Sequence, residues 1–323
     1  MHLRNTFELK KPKHVNKKIR FVFCALWAAV VAGCGHGAED RLPLVHAHRG
    51  GAALYPENTI EAMVNAVRLG VPVLEMDLQV TRDSCVVVSH DAYLNAEKAL
   101  TPAGKDIPEG KDKEEYRIYD MDYDSLRLYD VGSKPHPAYP GRVNLKCHVP
   151  LFSELVENVE NAAWSLGDTV YYNVEIKSDP SKDGVYSPDY RTYADLCMRA
   201  MLARRLGSRL LVQCFDPRTL NYLHERYPSV RLSYLVEDSV ASFEEMMARL
   251  DFTPQVFSPE SRLLTEEMME AARAKGMEVV PWTVDDREEV ERLRKLGVDA
   301  IITNRPDRVM EWLGYPAPAR SAR

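Results

Sequence analysis

The sequence has no closely spaced cysteines. Its six sit at positions 24, 34, 85, 147, 197 and 214, with no C-x-x-C and no metal-type spacing, so a thiolate metal site is excluded and the four in the body of the chain read as isolated thiols. The apolar run Phe21–Gly33 is only thirteen residues long, short of the roughly 20 that a membrane-spanning helix needs. Internal repeats and low-complexity tracts are missing. A net positive charge is also missing: the balance is −6, and residues 1–33 hold seven Lys/Arg against one Glu, so without them it deepens to about −12. A body of that charge repels phosphate backbones, which argues against nucleic-acid binding; an anionic ligand must be met by cations gathered locally.

Lys17, Lys18 and Arg20 precede the apolar run, the layout of a secretion signal. The run ends Val31-Ala32-Gly33-Cys34, which resembles the bacterial lipobox and implies cleavage before Cys34 and lipidation of its thiol. The expected organisation is therefore a signal at 1–33, a tether at 34–41, one domain at 42–315 and a frayed tail at 316–323. The mature protein would be exported and held to a membrane of the cell envelope through Cys34.

Eight short apolar runs read as strands: Leu42–His48, Val71–Asp77, Val170–Lys177, Arg209–Phe215, Arg231–Glu237, Gln255–Ser258, Glu278–Val284 and Asp299–Thr303. Amphipathic stretches such as Thr59–Leu69, Tyr190–Leu206, Pro217–Tyr227, Thr265–Lys275 and Asp286–Leu296 lie between them, as parallel crossovers require. Eight such units predict an α/β fold of the (β/α)8 barrel type. Cys85–His90 follows too closely for a crossover and is expected to return antiparallel, with a two-residue turn at Asp83-Ser84 setting Asp77 opposite His90. Ala92–Val149, rich in charge, Tyr, Gly and Pro, reads as an insertion after this hairpin, a lid or substrate-shaping excursion.

Catalytic groups of such a barrel come from the C-terminal strand ends. Those positions hold His48, Arg49, Glu75, Asp77, His90, Glu175, Lys177, Gln213 and Trp282. Glu75 and Asp77 share a strand face, as do Glu175 and Lys177. Three converging carboxylates would repel unless a cation sat among them, and oxygen ligands favour Ca²⁺ or Mg²⁺. Two histidines suit proton transfer near neutral pH, and Arg49 and Lys177 offer a fork and a point charge to an anion such as phosphate.

His48-Arg-Gly-Gly with Pro56-Glu-Asn-Thr, Glu75-Met-Asp, His90-Asp, Glu175-Ile-Lys, Pro281-Trp-Thr-Val and Thr303-Asn-Arg-Pro-Asp resemble, in order and spacing, the signature series of the glycerophosphodiester phosphodiesterase family, over about residues 43–312. Val149-Pro-Leu-Phe-Ser-Glu-Leu matches a Pro-led helix start of that family. The resemblance implies a barrel of the phospholipase-C-like phosphodiesterase type that hydrolyses glycerophosphodiesters to sn-glycerol 3-phosphate and an alcohol with a divalent metal. Glu75, Asp77 and Glu175 would hold the metal and His48 and His90 would be the acid–base pair, either one in either part. Arg49 and Lys177 would bind phosphate, Glu57 would support Arg49, Trp282 would line the glycerol pocket and Gln213 would face the substrate. The family's Gln-Ser-Phe is Gln213-Cys214-Phe215 here, a change that matters only if Cys214 faces the mouth.

Gly50 and Gly51 suit a tight turn close to a ligand. Asn58, three before Glu61, reads as the cap of the first helix, and His46, where the family has an apolar residue, as a barrel-interior histidine. Two other readings compete with the main one: a lysophospholipase D or related lipid phosphodiesterase on the same barrel, and a non-catalytic surface lipoprotein that only binds phosphodiester or sugar ligands.

Overall fold

The computed structural model describes residues 41–316. The proposed signal, Cys34 with most of its tether, and all but the first residue of the expected tail lie outside the described residues. Eight parallel strands, β1 Leu44–Ala47, β2 Val73–Val80, β4 Tyr171–Ile176, β5 Leu210–Cys214, β6 Arg231–Val236, β7 Val256–Pro259, β8 Glu278–Val279 and β9 Ala300–Thr303, run in the order β8-β7-β6-β5-β4-β2-β1-β9. Hydrogen bonds from Asp299 N to the Val279 carbonyl (3.0 Å) and from Ile302 N to the Pro281 carbonyl (3.0 Å) bring the two ends together. This is the (β/α)8 barrel that the alternating pattern predicts.

The near-continuous apolar character of these strands follows from burial on both faces. Val45, Ala47, Leu74, Met76, Val174, Ile176 and Val212 belong to the large core against the helices. Leu211, Val256, Val280, Ala300 and Ile302 fill the interior. The helices start where polar caps allow: Thr59, Asp189, Asp216, Thr265 and Asp286 each accept a backbone N–H of the first turn. The described cysteines, Cys85, Cys147, Cys197 and Cys214, are unpaired thiols.

The hairpin forms, but one residue out of the expected register. β2 pairs with β3 (Val86–Val88) as Leu78↔Val88, Gln79↔Val87 and Val80↔Val86, because Arg82-Asp83-Ser84 makes a three-residue loop. Ser84 takes the left-handed conformation at φ 63°, and Cys85 N donates to the Thr81 hydroxyl (3.0 Å). Ser89, not His90, faces Asp77, donating to its carbonyl (2.9 Å). His90 still lines the mouth, because the chain leaves the ladder after Val88 and bends back.

The insertion carries a small core of its own, including Leu94, Ala99, Ile107, Ile118, Tyr123 and Leu126, closed against Val87 and Val149. Its helical content is two single α turns, Asp112–Glu115 and Tyr123–Leu126, and a 3₁₀ turn at Ile118–Asp120. The Pro-led helix follows at Phe152–Leu166.

Candidate active site

Parallel register sets the acids side by side. Asp77 is the Cα partner of Glu175, and Glu75 that of Asn173, so one carboxylate layer crosses β2 and β4 at their C-terminal ends. Glu75, Asp77 and Glu175 are all buried and offer oxygens within 4.8 Å of one another. Burial and the Asp77 charge hold Glu75 well above the carboxylate range. Burial, opposed by Lys177 and reinforced by Asp77, pushes Glu175 up to about 7. Asp77 stays low because the surrounding cations outweigh its burial. The three cannot all ionise unaided, and Asp77 Oδ1 is buried with no hydrogen-bond partner. An oxygen-only set with an unsatisfied buried oxygen fits a hard divalent cation.

The strand-one turn carries the next groups. Arg49 adopts φ 52°, ψ 32°, an uncommon conformation for a side chain of its size. That geometry aims its backbone N–H at Glu75 Oε2 (2.8 Å) while its guanidinium reaches Glu57 (3.1 Å) and Asp77 (3.4 Å). Gly50, at φ +80°, rests on the first turn of the helix Ile60–Arg68. A Cβ there would lie 2.8 Å from the Ala62 Cβ and 3.0 Å from the Met63 backbone nitrogen. Gly50→Ala is therefore expected to cost about 2 kcal/mol or more of stability, read as a lower midpoint in urea unfolding.

Asn58 is not the helix cap; Thr59 is, accepting from Ala62 N. Asn58 is a buried residue at φ 58° whose amide donates to Asp77 Oδ2 (2.8 Å) and whose carbonyl accepts from Asp77 N (3.3 Å). The two histidines have unlike partners. His48 Nδ1 meets Asn304 Oδ1 at 2.7 Å, and the Asn304 amide donates to Asp285 (2.8 Å). With that NH₂ committed to a carboxylate, the Asn304 oxygen faces His48, so Nδ1 carries the proton and Nε2, 3.9 Å from Glu75 Oε2, is left with its lone pair. Burial, helped by Arg49, lowers His48 to about 3. His90 Nδ1 instead meets the Asp91 carboxylate at 2.9 Å.

Lys177 pairs with Glu175 at 2.8 Å. Gln213 is almost fully buried beneath the acids, at the floor of the cavity, and donates to Glu75 Oε1 (2.8 Å), so it holds a carboxylate in place. Asn173 donates to Gln213 (2.9 Å) and to His46 Nδ1 (3.3 Å). His46 is thus an interior histidine, brought down to about 3 by burial and the Arg231 charge. Cys214 points into the wall, its thiol donating to the Ile176 carbonyl (3.1 Å), so the departure at that position leaves the mouth unchanged.

A cavity of about 490 Å³ opens over this layer, lined by His48, Arg49, Glu75, His90, Glu175, Lys177 and Gln213 and, further out, by Ser178–Pro180, Lys182, Phe215, Glu237 and Trp282. Trp282 stands edge-on to Phe215 (5.4 Å) and donates to the Ser258 carbonyl (2.9 Å). None of the lining comes from residues 92–149. On this side the β4 loop Ser178–Lys182 supplies the lining.

The model of the glycerophosphoryl diester phosphodiesterase family matches residues 48–308. The chain belongs to that family. Among its relatives is the glycerophosphodiester phosphodiesterase of Caldanaerobacter subterraneus subsp. tengcongensis, 27% identical over 82% of this chain and 95% of the other. A human lysophospholipase D is 23% identical over 82% of this chain and 84% of the other. Among solved structures, a family protein from Silicibacter pomeroyi superposes with a TM-score of 0.75 at 26% identity, covering 86% and 94% of the two chains. A phosphodiesterase from Oleispira antarctica, solved with its product sn-glycerol-3-phosphate, gives 0.65 at 20% identity over 86% and 100%. The family protein described here is a phosphoric diester hydrolase.

Asn304, Asp285 and Lys98 were not singled out by sequence reasoning. The first two lie in or beside the motifs Thr303-Asn-Arg-Pro-Asp and Pro281-Trp-Thr-Val, so spacing marked the segments without assigning the side chains. Lys98 sits in no motif, and only the folded insertion brings it to Glu57 (2.8 Å) and Asp91 (3.0 Å).

Proposed function

We propose that this enzyme hydrolyses glycerophosphodiesters to sn-glycerol 3-phosphate and an alcohol, with a divalent cation, Ca²⁺ or Mg²⁺, held by Glu75, Asp77 and Glu175. The observation that carries the reading is the pair of histidines at one cavity with unlike partners, over a buried acid triad and beside two cations. When bound, the ion supplies charge that stabilises the phosphoryl oxygens. Arg49 and Lys177 share that load from the protein side, a large part of what phosphoryl transfer asks of an enzyme. His48, its Nδ1–H spent on Asn304, presents Nε2 as the base that takes the proton of the substrate's own 2-hydroxyl as it attacks phosphorus. His90 is the acid that gives its proton to the leaving alcohol's oxygen as that P–O bond breaks: a protonated ring there would meet the Asp91 carboxylate, whereas His48 Nδ1 faces a neutral amide. The cyclic phosphate is then opened by water with the two parts exchanged.

The outer wall favours a small polar alcohol as leaving group. Beside the apolar Phe215 and Trp282 it carries Ser178, Asp179, Lys182 and Glu237, and these charged groups suit a hydrated head group better than an acyl chain. Side-by-side turnover of glycerophosphocholine, glycerophosphoinositol and lysophosphatidylcholine tests this. The glycerophosphodiesters should be hydrolysed faster; preference for the lipid would favour the lysophospholipase D reading, and turnover of none would favour a binding protein.

Lipidation at Cys34 and retention at the envelope complete the proposal, supported by the lipobox-like Val31–Cys34. Incorporation of a fatty-acid analogue should occur in the wild type and vanish in Cys34→Ala; a freely released wild-type protein would contradict it.

A further inference from the structure

We propose that Lys98, carried by the insertion, is a positioning residue that locks Arg49 and His90 into one constellation; this rests on the roles just given to those two side chains. Lys98 Nζ lies 2.8 Å from Glu57 Oε1 and 3.0 Å from Asp91 Oδ2. Each acid turns its other oxygen to a site residue: Glu57 Oε2 to Arg49 Nη1 at 3.1 Å, and Asp91 Oδ1 to His90 Nδ1 at 2.9 Å. Arg49, Glu57, Lys98, Asp91 and His90 thus form one unbroken chain of alternating charge, with the insertion's lysine at its centre.

The mount is firm. Leu94, Ala96 and Ala99 are buried in the insertion's own core. Lys98 N and Ala99 N both donate to the Asn95 carbonyl (3.0 and 2.9 Å), and the Asn95 side chain donates to Asp91 (3.1 Å). Behind His90, the space lined by Glu57, Asp91 and Lys98 is only about 40 Å³, so the two acids have little room to rearrange. Partly buried ion pairs add little net stability because desolvation offsets their attraction. Their value here is geometric: without the lysine, two acids face one another across a small gap, and their repulsion strains each against the group it orients. Lys98 also accounts for an insertion that contributes nothing to the cavity wall.

Steady-state kinetics on glycerophosphocholine, following glycerol 3-phosphate release, test the proposal. Lys98→Met is expected to lower kcat about tenfold through His90 and to raise KM about threefold through Arg49, with Lys98→Arg recovering most of the loss. In a His90→Ala background the same Lys98→Met change should lower kcat by less than about twofold, because the group it positions is gone, while the rise in KM persists. Equal loss of kcat in both backgrounds, or unchanged kinetics in Lys98→Met, overturns the proposal. If Lys98→Met does not fold, it is made on Glu57→Gln/Asp91→Asn, where the lysine has no acid to hold and its removal should be neutral; a tenfold loss there overturns it as well. A wild type that does not turn over, or a fully active His90→Ala, would instead overturn the catalytic reading, whatever Lys98 does.

Discussion

His48→Ala is expected to lower kcat by about 10²–10⁴-fold while the protein remains folded and binds substrate with a KM within a fewfold of wild type. The size follows from the part proposed for the ring: it would take a proton in the transition state but carry little of the ground-state grip on phosphate, a task assigned to Arg49 and Lys177. The tautomer is set from behind, through the 2.7 Å contact to Asn304 and the Asn304–Asp285 bond. Asp285→Asn should therefore reproduce part of the loss without touching substrate, since it frees Asn304 to turn its NH₂ toward the ring. Rapid-quench or steady-state kinetics on the same diester check both, and a fully active His48→Ala would remove the histidine from the mechanism.

Chelation is expected to abolish turnover, and Asp77→Ala to weaken binding of Ca²⁺ or Mg²⁺ to the stripped protein by about 10²-fold or more, read by calorimetry without any assay of activity. The driving force is electrostatic. Glu75 and Glu175 are both pushed above their ordinary range by burial and the neighbouring carboxylate charge, so protons compete with the ion for the site. Affinity should then fall as pH drops through about 7, where Glu175 takes up its proton. Asn58→Ala, which removes the 2.8 Å bond to Asp77 Oδ2 and the residue type suited to φ 58°, should weaken the ion about 10-fold. Activity that survives chelation, or calorimetry showing no binding, would refute the metal assignment.

Several residues were legible one by one. His48, Arg49, His90, Glu175 and Lys177 stand at strand ends or just beyond, with Glu75 and Asp77 inside the longer β2, and the barrel's alternation is enough to gather them at one mouth. The hairpin was legible as a hairpin but not in register, because a one-residue change in loop length is decided by whether Ser84 accepts a left-handed backbone, which composition does not report. Asn58 was misread for a related reason: Asn and Thr are both good caps, and the choice between adjacent residues depended on the contact with Asp77, distant by 19 positions. The insertion was visible as an excursion, yet its task was not, since length and polarity say nothing about which side of the mouth it meets.

The sequence by itself determined the barrel, the order of its strands and the chemical types gathered at its C-terminal face, because apolar periodicity and strand-end position are local properties that survive without coordinates. Only the tertiary structure decided the partners: Asn304 behind His48, Asp91 behind His90, Gln213 beneath Glu75, and Lys98 between Glu57 and Asp91. The physical reason is reach. A hydrogen bond or ion pair is made within about 3 Å, and which side chains come that close depends on packing between segments as far apart as His48 and Asn304, 256 residues along the chain.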